Sequence, residues 1–214
     1  MHLAYRYPLF LLVGFLISFA SSSQTPKIDS LKKVLASLPP EGRSYRNDTI
    51  RMLVLCELGK ESIGKKITPC IEQAILEANT IGWPKGIMVA YFHHGRHYGA
   101  LGSYYRASQS LFKALSVSER LQDVQMSSKI LLNLGNFYQV MGNAVKGLEF
   151  HLKALNYARN IPDIKLKLLN LIGTDYVRLS NYSKAEYYLL KGRKLAKLYG
   201  NKTYQVVSLY LCLP

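Results

Sequence analysis

The sequence predicts an all-α chain, a solenoid of helix–turn–helix repeats, about four in number, with a period of about 40 residues. Three observations carry this. His94-Gly95-Arg96-His97-Tyr98, Leu134-Gly135-Asn136-Phe137-Tyr138 and Ile172-Gly173-Thr174-Asp175-Tyr176 align, with the glycines 40 and 38 residues apart and the tyrosines at the same intervals. Nine residues after each Tyr stands a small residue, Ala107, Gly147 or Ala185, and seven further on another, Ala114, Ala154 or Gly192. Gly102, Gly142 and Ser180 fall between these two series, where a turn belongs.

The elements follow in chain order. Residues 1–23 carry Arg6, then the apolar run Leu9 to Ala20, then Ser21-Ser22-Ser23. A charged start, a short apolar stretch and a small-residue zone describe a cleavable signal peptide, with cleavage expected after Ala20 or Ser23. The run is twelve residues long, well below the ~20 that span a bilayer. Export to the periplasm is the expectation. Residues 24–40 form a leading helix, Ile28 to Leu38, with Leu31, Val34, Leu35 and Leu38 at helical spacing and Pro39-Pro40 as its stop. It is expected to cap the array.

Residues 41–84 read as a degenerate first repeat. Its first helix is expected from about Asp48, as N-cap, to Ser62, with Leu55 where the other repeats have Gly. Gln73-Ala74-Ile75 echoes Lys113-Ala114-Leu115 and Lys153-Ala154-Leu155. Residues 85–124, 125–164 and 165–202 are the three clear repeats. Antiparallel helices approach closely only over small side chains, so Gly95 should face Ala107 and Ala114, with Tyr98 filling the space one turn on. Asp123 and Asp163 should lie in longer connections between repeats. Residues 203–214 begin like another first helix and stop without a partner, as in a truncated repeat or a fragment; a real C-terminal helix packed on the last repeat is the alternative.

These positions resemble the tetratricopeptide repeat family: an apolar residue then Gly, Tyr three positions later, and Ala at two spaced sites on the second helix. His94, His151 and Gly192 depart from the usual residues. The period exceeds the family's common 34, which implies longer helices or longer loops between repeats. The leading phrase Asp29 to Leu35, with Leu38-Pro39-Pro40, also resembles the exported sensor regions of bacterial two-component proteins. That resemblance implies a sensing module feeding a kinase or transcription-regulator output that is missing from this sequence. A free-standing periplasmic scaffold is the alternative.

Composition narrows the partner. The chain is 49% hydrophobic and 19% charged, as a folded protein is, with a formal net charge of +15. Losing Arg6 with the leader leaves +14. The excess is spread through helical segments and forms no dense run, which argues against nucleic acid and for an acidic protein, peptide or anionic ligand. No second apolar run of spanning length occurs.

No nucleophile elbow, zinc-protease motif or phosphate loop is present, so no catalytic residue, cofactor or metal is assigned. His93 and His97 share a helix face but lack a carboxylate at helical spacing, and partly exposed histidines are the reading. Tyr104-Tyr105 and Tyr187-Tyr188 read as packing. Cys56 and Cys70 lie on consecutive helices; pairing in an oxidising compartment is open, though two buried thiols are favoured, and Cys212 stands apart.

In the resembled family the first helices line the concave side. That places Phe92 and Arg96, then Lys129, Leu132, Asn136 and Gln139, then Lys167, Asn170, Thr174 and Arg178 along the groove. The row has hydrogen-bond donors and no acid, as an extended peptide or a carboxylate requires. A merely solvated groove is the alternative.

Overall fold

The computed structural model describes residues 26–38, 45–61 and 68–200. The leader at 1–23, Pro39-Pro40, Cys212 and the segment 203–214 lie outside the described residues. Among the described residues are nine helices and no strand. They are α1 (Pro26–Ser37), α2 (Tyr45–Glu61), α3 (Thr68–Thr80), α4 (Pro84–Ala100), α5 (Tyr104–Arg120), α6 (Val124–Val140), α7 (Ala144–Tyr157), α8 (Pro162–Arg178) and α9 (Tyr182–Leu198).

The helix ends follow from local chemistry. Pro84 and Pro162 start α4 and α8, where a missing backbone N–H removes no helical bond. Asp123, Asn143 and Asn181 cap α6, α7 and α9, each side chain accepting a hydrogen bond from the backbone N–H three residues on. Gly102, Gly142 and Ser180 sit in the left-handed region, at φ 74°, 83° and 57°, and turn the chain between paired helices. Gln122 does the same between repeats, at φ 53°.

The long period comes from the helices. Five of the last six helices, α4, α5, α6, α8 and α9, have 17 residues, while α7 has 14. The connections are short, and Asp123 and Asp163 do not lie in long loops. Asp123 is the N-cap of α6, and Asp163 sits in the first turn of α8. The expectation for α2 also shifts: it begins at Tyr45, so Asp48 falls inside the helix and not at its cap.

Small residues set the pairing. A Cβ on Gly95 would lie 2.7 Å from Leu111 Cγ and 3.0 Å from the Ala107 carbonyl oxygen. A Cβ on Gly173 would lie 2.6 Å from Leu189 Cγ and 3.4 Å from the Ala185 carbonyl oxygen. At Gly135 it would fall into the imidazole of His151. The three glycines are therefore equivalent contact points, and the residue 16 further on fills the space each leaves. Ala114 is fully buried but is not the nearest neighbour of Gly95.

Above these contacts the core falls into two clusters. Leu111, Ile130, Leu134, Leu148, Ala154, Leu168 and Ile172 form one buried cluster across α5 to α8. Met52, Leu55, Cys56, Ala74, Ala78 and Ala90 form a second across α2 to α4. Leu55, standing where the clear repeats have Gly, is 1% exposed. No helix among the described residues is long and apolar enough to cross a membrane.

Candidate concave binding groove

First helices of neighbouring repeats touch, α4 with α6 and α6 with α8, while no comparable contact joins their second helices. A stack that closes up along one row of helices curves toward that row. The first helices therefore line the concave side.

A concavity of about 300 Å³ opens on this side, lined by Phe92, Arg96, Lys129, Leu132, Asn133, Asn136, Ile164 and Lys167. Every lining residue belongs to α4, α6 or α8. Phe92 and Leu132 are buried and, with Ile164, give it an apolar floor. Arg96 and Lys167 are exposed and Lys129 half-buried, so three cations stand around that floor with no carboxylate among the lining residues. Arg96 lies with its guanidinium carbon 5.9 Å from the centre of the Phe92 ring, which orients it. Asn136 adds an amide donor and acceptor, while Asn133 donates to its own helix at the Lys129 carbonyl, 2.7 Å away.

Six of the ten residues placed in the groove by sequence come together here: Phe92, Arg96, Lys129, Leu132, Asn136 and Lys167. Four do not. Asn170 is buried, 6% exposed, and donates to the Leu166 carbonyl. It turns toward α9 because Gly192, where the other repeats have Ala, leaves room: a Cβ there would sit 3.3 Å from its Nδ2. Thr174 is half-buried and donates to the Asn170 carbonyl. Gln139 donates to Asp175 Oδ1 at 2.7 Å and accepts from Arg178, so both are tied into a polar chain beside the groove.

That chain ends on a pair the sequence reading missed. His151 Nδ1 lies 2.5 Å from Asp175 Oδ2, and both residues are buried. The pair joins α7 to α8, and Gln139 joins it to α6. A histidine at an aromatic position and an aspartate two residues after Gly173 were its only trace in the sequence. Asn133 and Ile164 were also missed; each lies one helical turn from a lysine already on the groove.

Two histidines of the cluster, His94 and His97, pack into the array. His94 Nδ1 is 2.7 Å from Ser110 Oγ, which fixes it against α5. Burial, with His97 and Lys113 nearby, lowers its pKa to about 4. His97 is buried, 6% exposed, and not partly exposed as expected; burial lowers its pKa while Glu72, across from α3, raises it. Among the described residues no three metal-ligating side chains converge. Tyr104 lies with its ring centre 5.7 Å from that of Phe137 and Tyr188 stacks on Tyr176, while Tyr105 and Tyr187 are exposed, so one residue of each Tyr-Tyr pair packs inward. Cys56 and Cys70 are both free thiols, the first buried and the second half-buried.

Two larger concavities lie elsewhere. One, of about 540 Å³, holds Glu72, His94, Arg106 and Lys113 between the second helices α3 and α5. The other, of about 480 Å³, holds Arg159, Lys165, Lys191 and Lys194 between α7 and α9. Neither collects residues from three successive first helices, which is what an extended ligand along the array would meet.

Residues 126–197 match the tetratricopeptide repeat family model. The chain carries tetratricopeptide repeats over those residues. Its tetratricopeptide fold is shared with a signal transduction ATPase with numerous domains, with a tetratricopeptide repeat sensor, from Pyrococcus horikoshii (TM-score 0.74, 18% identity, 86% of this chain and 29% of that one). It is also similar to BtubC from P. vanneervenii (TM-score 0.70, 14% identity, 80% of this chain and 72% of that one). The 43 kDa receptor-associated protein of the synapse from Tetronarce californica is 26% identical over 138 residues, 62% of this chain and 34% of that protein. The chain thus spans about a third of the length of that curated relative.

Proposed function

We propose that the groove binds an extended acidic segment of a protein partner, and that this binding, without catalysis, is the work of the described array. The observation that supports this is the lining: three cations and two amides over an apolar floor, drawn from three consecutive first helices, with no acid. A peptide laid along such a row finds donors once per repeat. Charge then supplies encounter rate and selectivity, while exposed pairs add about 0–1 kcal/mol each.

The reading extends to the whole protein as follows. Residues 1–23 direct export, and the array senses its partner outside the cytoplasm on behalf of an output module. The phrase Asp29 to Leu35 and the tetratricopeptide sensor of the signal transduction ATPase are compatible with this reading. A free-standing periplasmic scaffold is the second form of the same proposal.

The test for the groove is fluorescence anisotropy of a labelled Glu/Asp-rich peptide, with the C-terminus free or amidated. Binding should weaken steadily as salt shortens the Debye length below about 8 Å. Binding that salt leaves unchanged would remove the electrostatic reading. For export, residues 1–30 fused to a reporter active only outside the cytoplasm should switch it on, and a silent reporter would count against the signal peptide.

A further inference from the structure

In an array of antiparallel pairs, the turns within repeats lie along one edge and the turns between repeats along the other. The edge carrying the within-repeat turns repeats the same chemistry three times. The third residue of α5, α7 and α9 is Arg106, Lys146 or Lys184. Each is exposed, and each rests over the repeat tyrosine: Arg106 over Tyr98 at 5.7 Å, Lys146 over Tyr138 at 4.5 Å, Lys184 over Tyr176 at 5.5 Å from the ring centre. None of the three is in an ion pair among the described residues. The ring holds the charged end in place while the residue stays exposed to solvent.

Beside each cation stands exposed apolar surface. Tyr105 is 74% exposed, Val145 59% and Tyr182 67%, and Val140 and Met141 add to the middle turn. Residues 101–106, 140–146 and 179–184 contain no acid. The opposite edge is as apolar but mixed in charge: it exposes Leu121, Val124, Leu198 and Tyr199 and carries Glu119, Asp123 and Asp163 together with Arg120, Arg159 and Lys197.

We propose that this edge is a docking surface for an anionic bilayer, with the three cations at the level of the lipid headgroups and Tyr105, Val145 and Tyr182 inserted beside them. The chemistry is that of peripheral membrane contact: cations for the surface potential, and tyrosines and aliphatics for the boundary between headgroups and acyl chains. The turn tips at Lys146 and Lys184 line none of the three concavities described above, while Arg106 also borders the one between α3 and α5. A row of turn tips suits a deformable surface, whereas a peptide needs a groove. The proposal is independent of the concave site, which would stay open to its partner on the membrane-bound array.

The test is sedimentation of the full chain with vesicles of phosphatidylcholine alone or with one quarter phosphatidylglycerol. Each cation near an anionic surface contributes about fivefold in partition, so the three together give on the order of a hundredfold. Arg106→Gln/Lys146→Gln/Lys184→Gln should lose that preference, and Arg96→Gln/Lys129→Gln/Lys167→Gln, which removes the same net charge from the groove, should keep most of it. Tyr105→Ser/Val145→Ser/Tyr182→Ser leaves charge and the apolar run at residues 9–20 untouched, changes only exposed side chains, and should lower partition about tenfold or more with thermal unfolding unchanged. Equal loss from both charge triples would mean diffuse attraction and would overturn the proposal. So would an apolar triple that binds vesicles like the parent, or an edge that captures an acidic protein while ignoring the anionic vesicles.

Discussion

Replacing Gly135 by Ala is the sharpest test of how the repeats pack. In an exposed helix this change would stabilise by roughly 0.5–1 kcal/mol, because Gly loses more backbone freedom on folding. Here the new methyl falls into the His151 ring, which is 0% exposed and bonded to Asp175 at 2.5 Å. The ring cannot swing aside without leaving Asp175, itself 3% exposed, short of its partner. Overpacking costs about 1–3 kcal/mol, and loosening a buried hydrogen bond adds to it. The net expectation is a loss of about 1–3 kcal/mol, which for a chain of this length lowers Tm by about 2–10 °C. Circular dichroism at 222 nm on heating reads it directly. Gly135→Ala/His151→Ala should be less destabilised than the two single changes add up to, with a coupling of about 0.5–3 kcal/mol. Gly192→Ala is the control, since its Cβ meets only the side chain of Asn170, at 3.3 Å. A Gly135→Ala protein as stable as the parent would refute the packing described for α6 and α7.

Two further outcomes follow from titrating groups. His94 has its folded pKa lowered from 6.5 to about 4 by burial, so the unfolded chain takes up the proton first. Stability is therefore fully present above pH 6.5 and falls as pH drops toward 4, and the lowered pKa of His97 acts in the same direction. Urea midpoints measured across that range should decline, and His94→Gln should flatten part of the decline; an unchanged slope would contradict the burial of the imidazole. The Cys56 thiol is pushed up to about 12, first by burial and then by Glu57 and Glu77. In a Cys212→Ser background at pH 8, iodoacetamide should modify half-buried Cys70 well before Cys56, and equal rates would show that α2 and α3 open readily.

Much of the fold was legible because its periodicity rests on volume. Gly95, Gly135 and Gly173 mark places where helices nearly touch, and no other side chain satisfies that contact, so their spacing exposes the repeat. The turns were equally legible, since Gly102 and Gly142 adopt a backbone that other residues avoid. The length of the connections was not, because a long period fits long helices and long loops equally well. The groove was legible where a residue's neighbours matched those of its counterpart in the next repeat. Asn170 occupies the same register as Phe92 and Leu132 but turns away, since one missing methyl on the facing helix, at Gly192, gives it somewhere to go. The His151–Asp175 pair was hidden because its partners lie 24 residues apart and join two different repeats.

The central claim is that the row of cations on the first helices receives an acidic segment. Reversing charge at two of them tests it most directly. Lys129→Glu/Lys167→Glu places two acids among the groove residues, and Lys194→Glu/Lys197→Glu changes net charge by the same amount on α9. With the labelled acidic peptide, the first pair should weaken binding by about tenfold or more, through lost attraction and new repulsion. The second should change it by about threefold or less, as distant exposed charges do at physiological salt. Equal weakening by the two pairs would contradict the account and leave the attraction to the basic surface as a whole.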